Sequence, residues 1–202
     1  DENNNSLPFK KITKDLWQVN TKGIKKITIK YNFYANQLDA GACYLDEHQL
    51  YLNPVHCMFY IVERTEEEYK LNLQIPKDYN IASSMKKQGN SLSVLGYDML
   101  AESPIICSNN LQHKTYEVDQ ITFNLWFQGE CNLDWGKLKT DFTAFTKEQI
   151  KHFNGFPVDE YHFFFQITPY RSYHGVEHTK NTVLLLGPGS EIMNKRYEDL
   201  LG

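Results

Sequence analysis

The residues best suited to chemistry lie close together near the C-terminal end, in Tyr173-His174-Gly175-Val176-Glu177-His178. Two imidazoles spaced i, i+4 with a carboxylate between them are the raw material of a zinc site. Read as His-x-x-Glu-His on a helix, His174 and His178 would grip the ion and Glu177 would serve as general base. That chemistry needs both rings on one helical face, and the local sequence opposes a helix. Gly175 costs about 1 kcal/mol relative to Ala in a helix interior. Pro169 lies just upstream, and Thr182-Val183-Leu184-Leu185-Leu186 downstream has the composition of a strand. No third ligand is spaced to complete such a site. His48, His56, His113, His152 and His162 are scattered and read as surface or hydrogen-bonded core residues.

The elements that must position this segment are mostly strands. Ile27, Ile29, Tyr31 and Phe33 alternate with polar residues, as do Leu71, Leu73 and Ile75, and Ile121, Phe123, Leu125 and Phe127. A period of two puts one face of a strand on a core. Val55 to Val62 is apolar at successive positions, which predicts a strand buried on both faces. Glu63 to Glu68 reads as a charged turn and Lys86 to Asn90 as a polar loop. From residue 132 the period changes. Leu138, Phe142, Phe145, Ile150 and Phe153 form a helical stripe behind a cap at Asp134, with Gly155 and Pro157 ending it. Tyr161 to Ile167 and Thr182 to Leu186 then read as strands. Ser190 is a candidate cap for a last helix carrying Ile192, Met193, Tyr197, Leu200 and Leu201. The pattern predicts a mainly β chain with an α+β C-terminal part: an antiparallel β-sandwich domain over 1–131 and an incomplete α+β unit over 132–202.

Bulk properties exclude several classes. The 202 residues are 41% hydrophobic and 14% aromatic with a formal net charge of -4, enough for a real core and far from the composition of a disordered chain. Charge is mixed, so no basic footprint for nucleic acid is present. No apolar run approaches the roughly 20 residues of a membrane-spanning helix, and the acidic, Asn-rich start is unlike a signal peptide. These features leave bacterial cytoplasm and periplasm equally open, the AT-rich flavour of the Asn, Lys and Tyr usage pointing to a bacterial source. The cysteines Cys43, Cys57, Cys107 and Cys131 have no Cys-x-x-Cys pair and read as mostly buried thiols.

Several segments, in order, resemble the glycyl aminopeptidase family of gluzincin zinc metallopeptidases. Gly175-Val176-Glu177-His178 is similar to that family's Gly-Gly-Leu-Glu-His segment, and Tyr97-Asp98-Met99-Leu100-Ala101-Glu102-Ser103-Pro104-Ile105 to its Tyr-Asp-x-Leu-x-Asp-Ser-Pro segment. Phe153-Asn154-Gly155-Phe156-Pro157 with Tyr161-His162-Phe163, and Trp17 to Val19 with Ile27 to Ala35, extend the likeness over about residues 16 to 190. The resemblance implies a β-rich N-terminal domain followed by the start of a thermolysin-like catalytic domain. The first strands of the former and the His-Glu-x-x-His helix of the latter are expected outside this sequence, so a zinc ion would belong to the full-length enzyme and none to this fragment. It further implies a peptide substrate with a small N-terminal residue, Gly or Ala. Glu177 would pair with its α-amino group, Gly175 would admit a close approach, and His178 would line the same cleft. The partners implied are that substrate and the remainder of the chain's own catalytic domain. The sequence departs from the family at His174, where Gly is usual, and at Val176, where Leu is usual. Two other readings stand beside this one: a self-contained zinc enzyme built on His174, Glu177 and His178, and a β-sandwich peptide- or protein-binding module using aromatics such as Trp126, Trp135 and Phe163 to Phe165.

Overall fold

Strands with unbroken apolar runs lie in the interior because both of their faces are covered. The computed structural model describes residues 1–201 and divides into a small unit, 1–34, and a large one from Ala35 onward. The small unit contains one hairpin, β1 (Phe9–Lys11) paired antiparallel with β2 (Trp17–Val19), with the Lys11 ammonium 5.1 Å from the Trp17 ring. The strand expected over Ile27 to Phe33 is not formed. That stretch has no ladder, and Ile29 and Phe33 remain 53% and 46% exposed. Alternation alone cannot make a strand without a neighbour to take its backbone hydrogen bonds.

In the large unit the elements run β3 (Tyr44–Leu45), β4 (Gln49–Leu52), α1 (Pro54–Cys57), β5 (Glu68–Asn72), β6 (Asn80–Ala82), β7 (Lys86–Gln88) and β8 (Ser91–Leu95). They continue with α2 (Tyr97–Ala101), β9 (Ile105–Ser108), β10 (Leu111–Val118), β11 (Ile121–Gln128), α3 (Trp135–Phe153), β12 (Glu160–Ile167), β13 (Ser172–Glu177) and β14 (Asn181–Gly187). Three sheets result: an antiparallel β5-β8-β7, an antiparallel β3-β4-β9-β6, and a mixed β10-β11-β12-β14-β13. In the mixed sheet β11, β12 and β14 are parallel, and β10 and β13 are antiparallel edges. The parallel step from β11 to β12 needs a long crossover, which α3 supplies.

Alternate side chains of the same strands build three cores. Phe123, Leu125, Phe127, Phe165 and Leu186 face α3 and meet Leu138 and Phe142. Phe164, Val183 and Leu185 face the other way, onto Tyr51, Ala82 and Ile106 of the four-stranded sheet. Ile81, Ile105 and Cys107, on that sheet's far side, pack against Leu92 and Leu100. The layers are therefore helix, mixed sheet, four-stranded sheet and three-stranded sheet, a mainly β, sandwich-like arrangement with an α+β C-terminal part. Residue 131 falls between β11 and α3, so the mixed sheet has strands on either side of that position.

α3 begins where the sequence signals it. Asp134 accepts from the Lys137 amide at 2.9 Å, and Asn154 ends the helix in the left-handed region at φ 56°. Its buried stripe is Leu138, Phe142 and Thr146; Phe153, expected inside, is 72% exposed at the helix's last turn. Three further expectations change. Val55 to Val62 is not a strand but α1, an extended link and a 3₁₀ turn (Val62–Arg64), because Pro54 starts a helical turn and the Asn53 and Pro54 carbonyls take the amides of His56 and Met58. Lys86 to Gln88, expected as loop, is the outer strand β7, whose exposed lysines suit an edge. The last helix does not form from Ser190; successive i→i+3 bonds carry the chain through turns to a 3₁₀ turn (Glu198–Leu200). Arg196 folds back there to the Gly187 carbonyl and to Asp199, which fixes the turns in place of a regular helix.

A polar network crosses β10, β11 and β12. His113 stacks on Trp126 with ring centres 3.6 Å apart and bonds Asn124 Oδ1 at 2.9 Å, while Asn124 donates to Glu160 at 2.8 Å. The Trp126 indole donates to His162 Nδ1 at 3.2 Å, so the ring proton of His162 stays on Nε2, 3.6 Å from Glu160. Burial drives the His162 pKa down to about 4, against the opposing pull of Glu160.

Two measurements check this packing. Phe142→Ala, which empties a site lined by Tyr116, Phe163 and Phe165, is expected to cost about 3–5 kcal/mol in urea unfolding. His162 stays neutral when folded, whereas in the unfolded chain it takes up a proton below about pH 6.5. Its contribution is therefore flat above about pH 6.5 and is lost progressively as pH falls below that. His162→Gln should make the decline in stability between pH 6.5 and 4 shallower than in the parent chain.

Candidate functional site

The segment Ser172–Glu177 is strand β13, laid antiparallel along β14 with His174 opposite Leu185, Gly175 opposite Leu184 and Glu177 opposite Thr182. The β-branched Thr182 and Val183 on β14 suit that pairing, and the strand separates neighbouring side chains onto opposite faces. Val176 packs with the core shared by the two larger sheets, and His174 points the same way, its Nδ1 2.7 Å from Asp39 Oδ1. Gly175 and Glu177 take the other face, beside Leu184, and both are exposed. Glu177 projects from the outermost strand of the mixed sheet. Its charge adds to burial in raising the Tyr161 phenol to about 12.

Glycine at 175 is not required by the fold. A Cβ there would stand 3.8 Å from the Val183 carbonyl oxygen and 3.9 Å from Leu184, ordinary contacts, so the residue leaves open space next to Glu177. Gly129 differs: its φ of +103° and the crowding of Ile167 against its Cα leave no room for a side chain.

His178 is placed apart from Glu177. Its side chain is only 6% exposed, and its Nδ1 lies 3.4 Å from Glu102 Oε2. Neither ring nitrogen completes a hydrogen bond. Glu102 also accepts from the Thr179 amide at 3.0 Å. Its backbone oxygen accepts from the side chain of Asn181, which is fully buried and donates to Ser84 as well. The turn from β13 to β14 is thus fastened to the segment following α2. Sequence reasoning gave no role to Asp39, Glu102 or Asn181. Glu102 did lie inside a segment already marked by resemblance, but a contact across 77 positions leaves no local pattern.

A helix bearing both histidines is not what this segment forms. With His174 and Glu177 on opposite faces and His178 turned to Glu102, the residues do not fit a zinc ion. Among the described residues no group of three or more His, Cys, Asp or Glu is arranged to hold one. A hollow of about 720 Å³ is bordered by Gln112, Glu130, Asn132 and Asn194 at the far end of the mixed sheet from Glu177. No helix is long and apolar enough to cross a membrane among the described residues.

The crystal structure of an aminopeptidase N family protein from Idiomarina loihiensis has the same fold over 89% of this chain, with a TM-score of 0.75 and 22% identity. The chain spans 32% of that protein's length. An M1 zinc metallopeptidase from Deinococcus radiodurans aligns over 66% of the chain and 32% of its own, at 12% identity and a TM-score of 0.37. No curated protein matches. The family model for the Peptidase M61 N-terminal domain matches residues 1–109, ending just before β10 begins at Leu111. With more than half its length matched, the chain belongs to the Peptidase M61 N-terminal domain family.

Proposed function

We propose that this chain is part of a zinc-dependent aminopeptidase of the glycyl aminopeptidase type, acting on peptides with a small N-terminal residue such as Gly or Ala. In this reading residues 1–131 form its N-terminal β domain and residues 132–202 open its catalytic domain, while the zinc is held by the rest of that domain. Glu177 receives the substrate's α-amino group. The observation that carries the reading is the exposed Glu177 carboxylate at the rim of an edge strand, next to an open Gly175. An enzyme that cuts from the amino terminus must recognise an ammonium, and a carboxylate does so with a charge-assisted hydrogen bond. His174, one of the two residues at variance with the resembling family, takes the opposite strand face by alternation, pairs there with Asp39 and leaves the space beside Gly175 clear. Glu102 and Asn181 act as positioning residues by anchoring the turn that follows Glu177.

Titration of the chain with a glycyl tripeptide, followed through amide chemical shifts, tests the assignment. The Glu177 and Gly175 amides should respond to the free-amino peptide and not to its N-acetylated form. Glu177→Gln should weaken binding about tenfold or more, the worth of one hydrogen bond to a charged group. Equal binding of the acetylated peptide, or binding untouched by the substitution, would favour a peptide-binding module with no role for the carboxylate. Gly175→Ala should leave stability within about 0.5 kcal/mol of the parent while reducing peptide affinity, because its methyl group enters the space that the substrate backbone needs.

A further inference from the structure

Two cysteines distant from Glu177 in sequence converge on one backbone carbonyl. Cys43 Sγ lies 3.5 Å from the Asn53 oxygen and Cys57 Sγ 3.7 Å from the same atom. The Asn53 amide in turn points at Cys43 Sγ at 3.3 Å, and the Cys57 thiol donates to the Cys43 sulfur. α1 makes this possible: four residues of helix return Cys57 over Asn53, while Cys43 enters β3 alongside. We propose that Cys43 and Cys57 form a peroxide-sensitive dithiol that closes to a reversible disulfide.

The chemistry follows from unequal environments. Hydrogen bonds from Cys57 and from the Asn53 amide, with His56 nearby, pull the Cys43 thiol below its ordinary range against the opposing effect of burial, which makes it the more readily ionised of the pair. Burial holds Cys107 up at about 12 and Cys131 at about 11, which keeps them protonated. The thiolate is the reactive form. Cys43 attacks hydrogen peroxide, breaking the O–O bond to give a sulfenic acid and hydroxide. Cys57 sulfur then attacks the sulfenic sulfur, releasing the hydroxyl oxygen as water with the Cys57 proton and forming the S–S bond. Peroxide is the oxidant, and the two sulfurs together lose two electrons. Both thiols are 4% and 7% exposed, under an α1 whose Val55 and His56 face solvent, so a small oxidant has a short path.

The bridge would bolt the loop carrying Asp39 to α1. That loop is already tied to the same region, through Tyr51 to Ala40 and His56 to Gly41. An effect on peptide binding through the Asp39–His174 pair rests on the site reading above, whereas the cross-link does not.

Peptide mapping by mass spectrometry after brief peroxide treatment should show a Cys43–Cys57 link, a loss of two hydrogens reversed by dithiothreitol, with Cys107 and Cys131 still open to alkylation after unfolding. Cys57→Ser should leave a dimedone-reactive sulfenic acid at Cys43. Over-oxidation of Cys43 without a link in the parent chain, or links at other pairs, would overturn the proposal, and the parent-chain result stands even if a variant folds poorly. Glycyl-tripeptide affinity compared in reduced and cross-linked protein reads the coupling separately. A change supports it, no change removes it, and absence of binding in both forms counts against the site reading while leaving the link measurable.

Discussion

Burial of both faces of β12 is the constraint from which the remaining geometry follows. Phe163 and Phe165 face the helix side and Phe164 faces the four-stranded sheet, the last two fully buried. A register slip of one residue would exchange those faces and set His162 and Gln166 where phenylalanines now pack. β14 is registered on β12, Phe164 against Val183 and Phe165 against Leu184, and β13 is registered on β14. The exposure of Glu177 is thus the far end of a chain of pairings that starts in an aromatic core.

The layers divide labour. α3 and the mixed sheet form a core of stacked and edge-on aromatic rings, the largest of the three. The four-stranded sheet contributes a second covered face and also the loop with Asp39. The segment after α2 adds Glu102, which reaches the β13–β14 turn. Side chains around the rim of the mixed sheet are consequently held by groups far apart in sequence, and their positions depend on the sandwich being assembled.

Much of the architecture was legible beforehand. β11, β12, β14 and α3 all stand where their patterns put them, since each carries enough apolar surface to dictate its own partner. The errors share a cause. Ile27 to Phe33 and Val55 to Val62 have strand-like composition, yet a strand needs an adjacent backbone, and composition does not provide one. Lys86 to Gln88 looked like loop because an outer edge strand can be fully polar. Ser190 to Leu201 carried a helical stripe, but Arg196 satisfied the Gly187 carbonyl and tied the chain into turns.

At the site, residue type alone determined that 173–178 was the segment to watch, that Gly175 and the Thr182 to Leu186 run favoured a strand, and that a helical zinc reading was disfavoured. Only the tertiary structure decided which face each side chain takes. Alternation separates Glu177 from His174, and the side that becomes interior depends on what packs against the sheet. Asp39 and Glu102 lie 135 and 76 positions from His174 and His178, and charge pairs at such separations come from folding, with no periodicity in the sequence to announce them.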